Sequence, residues 1–158
     1  MAIEVTVKKT DFRTVAFIHR KAHFNEIPQA MGQLYGWVQQ KGYIPAGPPI
    51  GVYFNSPEQV PPEELIWEIH APIGGDVSPG GPNEQGIGVK TVEGVEVASA
   101  MHKGPFDQVG PVYAELFQWL ADSGYEMAGP MEEAYLNDPA TTAPEELLTE
   151  IRLPIKKK

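Results

Sequence analysis

The chain has 158 residues, 42% hydrophobic and 21% charged, with 16 glycines and 16 prolines, which is the profile of a globular domain rich in turns. Its 21 acidic and 12 basic side chains leave a formal net charge of −9. That balance disfavours direct binding to a nucleic-acid phosphate backbone and suits a neutral or cationic ligand. The absence of cysteine excludes disulfides, thiolate metal sites and a thiol nucleophile, and is compatible with the expected cytoplasmic location.

In chain order, Ile3, Val5 and Val7 alternate with polar residues, and Lys8 and Lys9 fall in the same stretch. The N-terminus therefore reads as a strand and not as the apolar core of a signal peptide. Asp11, Phe12 and Arg13 supply a turn into a second strand at Thr14–His19, which makes a hairpin. Met31, Leu34, Tyr35 and Val38 recur at helical spacing and predict a helix from about Ile27 to Lys41, closed by Gly42. Strands follow at Ile50–Phe54 and Glu64–Pro72, separated by the turn-rich stretch 55–62. The segment Gly74–Pro82, rich in glycine and proline, reads as a flexible connector. Beyond it come strands near Gln85–Thr91 and Val95–His102, a helix near Val109–Ser123 closed by Gly124, and strands at Met131–Leu136 and Leu147–Pro154. No apolar run approaches membrane-spanning length, so no membrane partner is expected.

The order of elements repeats because the sequence repeats. Residues 15–73 and 97–155 align without a gap at an offset of 82, with 22 of 59 pairs identical. Trp37 matches Trp119, Tyr43 matches Tyr125 and Tyr53 matches Tyr135. A lone unit of about 70 residues with one helix struggles to bury its sheet. The expectation is therefore one α+β domain over 1–158: a duplicated β-β-α-β-β repeat with pseudo-twofold antiparallel sheets, two main helices and a central ligand cleft. Repeat one spans 3–73, the linker 74–84 and repeat two 85–155.

Residues common to both repeats are scaffold, so the departures are the first candidates for function. Glu133 stands where the first repeat has Gly51. Strand alternation assigns Ile50, Val52, Phe54, Ala134 and Leu136 to the face packed against the helix, which puts Glu133 and Tyr135 on the opposite face. A desolvated carboxylate there can pair with a cation, or act as a general acid or base if burial raises its pKa; the bland alternative is an exposed strand glutamate. Trp67, replaced by Thr149 in the second repeat, points inward as a packing residue or as one wall of a ligand pocket. Tyr113 and Phe117, with Met31 and Tyr35 at the matching positions of the first helix, belong either to the cleft or to the core.

Glu68 and Glu150 match each other on the other face of the last strand, while Glu63, Glu64, Glu145 and Glu146 read as solvated charges at the strand starts. His19, His23, His70 and His102 show no metal-ligand spacing. His102 suits a structural role at the turn into the second helix. No phosphate-binding or dinucleotide fingerprint is present, and no cofactor is expected.

The run His102-Lys103-Gly104-Pro105-Phe106, the helix end Gly124-Tyr125, Gly129-Pro130, the segment Glu133-Ala134-Tyr135-Leu136-Asn137-Asp138-Pro139 and the final Glu150-Ile151-Arg152-Leu153-Pro154-Ile155 together resemble the GyrI-like effector-binding domains. So does the first-repeat stretch from Trp67 to Ile73. The resemblance covers nearly the whole chain. It implies a small-molecule site in which Glu133 receives an aromatic or lipophilic cation and Trp67, Tyr135, Tyr113, Phe117, Tyr35 and Met31 are the candidate lining. It also implies two other activities known among such proteins: hydrolysis of cyclopropane-bearing genotoxic electrophiles, with Glu133 as the catalytic group, and inhibition of gyrase through a protein partner. No DNA-binding helices accompany the repeat, so a stand-alone binding protein is expected.

Overall fold

Strand β1 (Thr6–Lys9) does not fold back on the strand that follows it in sequence. The computed structural model describes residues 4–158; the expectation for Ile3 lies outside them. Two compact units emerge, one spanning Phe12–Glu93 and the other joining the segment that ends at Asp11 to Gly94–Lys158. We call them the N-terminal and C-terminal units. Their boundaries differ from those of the sequence repeats because the first strand of each repeat is exchanged.

The N-terminal unit contains β2 (Arg13–Lys21), helix α1 (Ile27–Lys41), β3 (Ile50–Tyr53), β4 (Ile66–Pro72) and β5 (Ile87–Val92). All of its strand pairings are antiparallel, in the order β3-β4-β2-β5. The C-terminal unit contains β1, β6 (Glu96–Lys103), helix α2 (Gly110–Ser123), β7 (Tyr125–Met127), β8 (Met131–Tyr135) and β9 (Leu148–Lys157). Its order is β1-β6-β9-β8, with β7 added to β9. Both units are thus α+β, each with one main helix and antiparallel strands. Among the described residues no helix is long and apolar enough to cross a membrane.

The two hairpins expected from the sequence are therefore replaced by a reciprocal exchange. Val7 pairs with Ala98 of β6, and at the same offset Val89 of β5 pairs with Ala16 of β2. Alternation establishes that β1 and β5 are strands but does not name the strand that completes each ladder. The turn region is tied elsewhere: Thr10 N–H donates to the Val95 carbonyl at 2.9 Å, and Val95 N–H donates to Thr10 Oγ1 at 2.9 Å. The connector, expected to be flexible, is pinned to β5 by reciprocal Gly80–Val89 backbone bonds of 2.9 Å. Gly88 permits that approach, since a Cβ there would lie 2.5 Å from the Gly80 carbonyl oxygen.

Each helix buries one stripe: Ala30, Leu34 and Val38 on α1, Val112 and Leu116 on α2. This is the i, i+4 spacing of a helix lying on a sheet. Both helices carry proline in the first turn and end at a left-handed glycine, Gly42 at φ 75° and Gly124 at φ 80°, a conformation that glycine adopts without steric cost. The matched tryptophans pack on the tyrosines just past those caps, Trp37 on Tyr43 at 5.7 Å and Trp119 on Tyr125 at 5.8 Å between ring centroids.

The face assignment from alternation is inverted. Gly51's neighbour Tyr53 packs into the α1 core with Ile69 and Ala71, while Tyr113 of α2 bonds Glu133. Gly51, Tyr53, Glu133 and Tyr135 therefore share the helix-covered face. The error has a physical cause: β3 is buried on both sides, with Ile50, Gly51 and Val52 all inaccessible, so apolar residues do not single out the helix side.

Candidate functional site

In the C-terminal unit, two adjacent rows of side chains lie beneath α2. Ala100, Ile151 and Glu133 form one row across β6, β9 and β8; His102, Thr149 and Tyr135 form the next. Ala100, Ile151 and Leu153 pack with Val112 and Leu116 of α2, which fixes this face as the one turned toward the helix. The helix brings Tyr113 over the rows, and Phe117 stands one turn farther along, 42% exposed.

Glu133 is half-buried at the centre of this group. The Tyr113 hydroxyl donates to its Oε2, and the Tyr135 hydroxyl donates to its Oε1 at 3.1 Å. Burial pushes the carboxyl above its ordinary range, against the two tyrosine hydrogen bonds and the nearby His102, which favour the charged form. No ion pair to Glu133 is formed among the described residues. The arrangement is a carboxylate lined by aromatic rings and held by neutral donors, in an environment that leaves its negative charge uncompensated. Such a group attracts a cation whose hydrophobic body fits the rings.

Phe106 extends the aromatic lining by meeting Tyr135 edge to face at 5.4 Å. His102 Nε2 bonds the Pro105 carbonyl at 2.9 Å and closes the turn that presents Phe106. Phe24 meets Tyr53 in the same way in the N-terminal unit, at 5.5 Å. The edge-to-face pair is thus scaffold common to both halves, and the carboxylate is what differs.

Trp67 does not line an open surface. It is 0% exposed in the N-terminal core, and its indole N–H donates to the Ala22 carbonyl at 2.9 Å. The wall proposed from sequence is a core residue, because β4 faces α1 with the indole wedged between strand and helix. Met31 and Tyr35 also belong to that unit and pack against its core; burial pushes the Tyr35 phenol upward. The structure thus gathers Glu133, Tyr135 and Tyr113 in one cluster. The sequence did not single out Phe106 as a partner of Tyr135, and it named Thr149 only as the counterpart of Trp67; the structure sets Thr149 opposite Tyr135.

Three further carboxylates, Glu68, Glu132 and Glu150, are buried on the sheet faces away from the helices, and Glu132 lies 3.7 Å from Arg152. Glu68, 7% exposed, accepts hydrogen bonds from His19 Nδ1 at 2.9 Å, His70 Nε2 at 2.9 Å and Lys90 Nζ at 2.5 Å. Glu150, 5% exposed, accepts from Ser99 at 2.6 Å and Arg152 at 2.9 Å, and pairs with Lys8. Burial raises Glu68 and Glu150, but the donors outweigh it and hold each at about 2. Lys90 lies on β5 and Lys8 on β1, so each exchanged strand is fastened to its host sheet by an equivalent buried ion pair. Glu63, Glu64, Glu145 and Glu146 are exposed. Among the described residues no group of histidine and acidic side chains is arranged to hold a metal ion.

Residues 3–156 match the family described as the GyrI-like small molecule binding domain. A DNA gyrase inhibitor of Citrobacter rodentium (strain ICC168) is 32% identical over 139 residues, covering 85% of this chain and 87% of the relative. Among solved structures, the EcmrR C-terminal domain superimposes with a TM-score of 0.86 at 20% identity, over 100% of both chains. SAV2435, solved bound to tetraphenylphosphonium, gives 0.60 at 14% identity over 98% of this chain and 94% of its own. These structural likenesses are likenesses of fold. The family match over almost the full length, together with the doubled strand-and-helix architecture, shows that the chain belongs to the GyrI-like small molecule binding domain family.

Proposed function

We propose that this protein binds amphipathic aromatic cations, with Glu133 receiving the charge and Tyr113, Tyr135 and Phe106 contacting the aromatic body. The observation that carries the reading is the half-buried, unpaired Glu133 carboxylate held between two tyrosine hydroxyls. A lipophilic cation replaces the missing countercharge and covers the rings. The tetraphenylphosphonium held by the structural neighbour SAV2435 is a compound of this class. Phe117, exposed on the same helix as Tyr113, extends the contact surface. Calorimetric titration of the full chain with tetraphenylphosphonium tests the proposal. Binding that weakens at least tenfold in Glu133→Gln is expected, and equal affinity in both proteins overturns the role of Glu133.

A second reading comes from the relatives, which are named DNA gyrase inhibitors at about one-third identity over most of both chains. Inhibition of gyrase supercoiling by the purified chain is its direct test, and it is compatible with small-molecule binding. Hydrolysis of a strained electrophile draws on the same raised Glu133 carboxyl acting on water. Turnover of a cyclopropane-bearing compound beyond one equivalent separates that activity from stoichiometric binding.

A further inference from the structure

Thr149 is 1% exposed, and its hydroxyl has no hydrogen-bond partner among the described residues. A buried hydroxyl left unpaired carries a desolvation cost with nothing to offset it. The equivalent position in the N-terminal unit shows that the fold does not demand this. There Trp67 fills the space under α1, and its polar atom is bonded to Ala22. The C-terminal unit has instead a much smaller side chain with an unsatisfied oxygen.

The neighbours do not satisfy that oxygen. Thr149 pairs across the strands with His102 on one side and Tyr135 on the other. His102 Nε2 is bonded to Pro105, and the Tyr135 hydroxyl is directed to Glu133. Glu133 lies on the same face, one row along and on the adjoining strand, a diagonal relationship that spans about 7–8 Å in an antiparallel pair. That is roughly the reach of one para-substituted aromatic ring.

We infer that the Thr149 hydroxyl is a hydrogen-bonding point for the ligand, so that the compound held at Glu133 is an aromatic cation bearing a hydroxyl or carbonyl group about one ring away from its charge. This rests on the reading of Glu133 as the cation-binding group. Glu133 selects for charge; Thr149 selects for a polar substituent among cations of similar shape. Trp67 denies the first-repeat position both the space and the free hydroxyl.

A matched pair of probes separates the two claims: tetraphenylphosphonium and triphenyl(4-hydroxymethylphenyl)phosphonium, titrated calorimetrically into the full-length protein and into Thr149→Val and Thr149→Ser. Valine keeps the shape of threonine and removes the hydroxyl, while serine keeps the hydroxyl. Thr149→Val is expected to weaken the hydroxymethyl cation roughly three- to tenfold, the worth of one hydrogen bond, and to leave tetraphenylphosphonium within twofold. Thr149→Ser should retain most of the preference. If Thr149→Val shifts both cations alike, or neither, the role of Thr149 is overturned while that of Glu133 stands. If the unsubstituted protein binds neither cation, both readings fall.

Discussion

Thr149 occupies in the C-terminal unit the register position that Trp67 occupies in the N-terminal unit, each paired with the tyrosine of the adjoining strand, Tyr135 or Tyr53. In both units a phenylalanine meets that tyrosine edge to face. The N-terminal unit buries an indole there, and the C-terminal unit has a hydroxyl without a partner one row from the Glu133 carboxylate.

The proposed site is built on the single carboxylate bonded by two tyrosine hydroxyls among the described residues, so calorimetry should return a stoichiometry near one cation per chain. Trp67 should govern stability. Trp67→Ala is expected to cost about 3–5 kcal/mol in chemical denaturation, the penalty for emptying a large buried aromatic site. Trp67→Phe should cost less and leave tetraphenylphosphonium affinity unchanged.

Glu133→Gln should stabilise the unliganded protein while weakening cation binding. Burial raises the native carboxyl above its usual value of 4.5. The stability linked to this group is therefore fully present below that value and is lost as pH rises through the native one. Glutamine stays neutral and keeps an acceptor for the tyrosines. A higher melting temperature at neutral pH is expected, and a lower one would contradict the balance of burial over hydrogen bonding.

Cation affinity should fall on acidification, and at a higher pH than for an ordinary exposed carboxylate. Only the ionised Glu133 attracts the ligand, and its native pKa is raised. Titrations of tetraphenylphosphonium at several pH values would reveal the midpoint. The loss should disappear in Glu133→Gln, whose residual binding is pH-independent.

Thr149→Val should raise stability by about 1 kcal/mol, because the unpaired hydroxyl is removed with little change of shape. Denaturant midpoints of the two proteins at equal m-value would measure it. A loss of stability would show that the hydroxyl is satisfied in solution.

The exchanged strands make acid stability a test of the buried ion pairs. Their hydrogen-bond partners hold Glu68 and Glu150 at about 2 in the native protein, against the ordinary carboxyl value of 4.5 in the unfolded chain. Their contribution is complete above 4.5 and is lost as pH falls from there through about 2. Each is worth on the order of 2–3 kcal/mol. His70 adds to the same trend: burial outweighs its bond to Glu68 and lowers its pKa below 6.5, so the unfolded chain takes up its proton first. Glu150→Gln, or Lys8→Met in the same cluster, should lower the denaturation midpoint at pH 7 and flatten the acid dependence.

The repeat, both helices with their glycine caps, the sheet-forming segments and the singular Glu133 were all legible in the sequence, because helical spacing, alternation and a gapless duplication are local or pairwise properties of the chain. Alternation also placed Tyr135 on the same face as Glu133, whereas Tyr113, open between cleft and core in the sequence, is brought to Glu133 by the structure. Three other matters were decided only in three dimensions. Which strand β1 and β5 would join depended on long-range pairing, and alternation carries no address. Which face the helices would cover was hidden in β3 by burial on both sides, and in β8 because the more buried residues, Glu132 and Ala134, lie on the face away from the helix. Whether Trp67 would open onto a site or fill a core depended on the space beneath α1, a volume set by all of its neighbours together. Sequence comparison located where the two halves differ; packing determined that Trp67 is a core residue in one half, while the other keeps Glu133 half-buried between two tyrosine hydroxyls and the Thr149 hydroxyl without a partner.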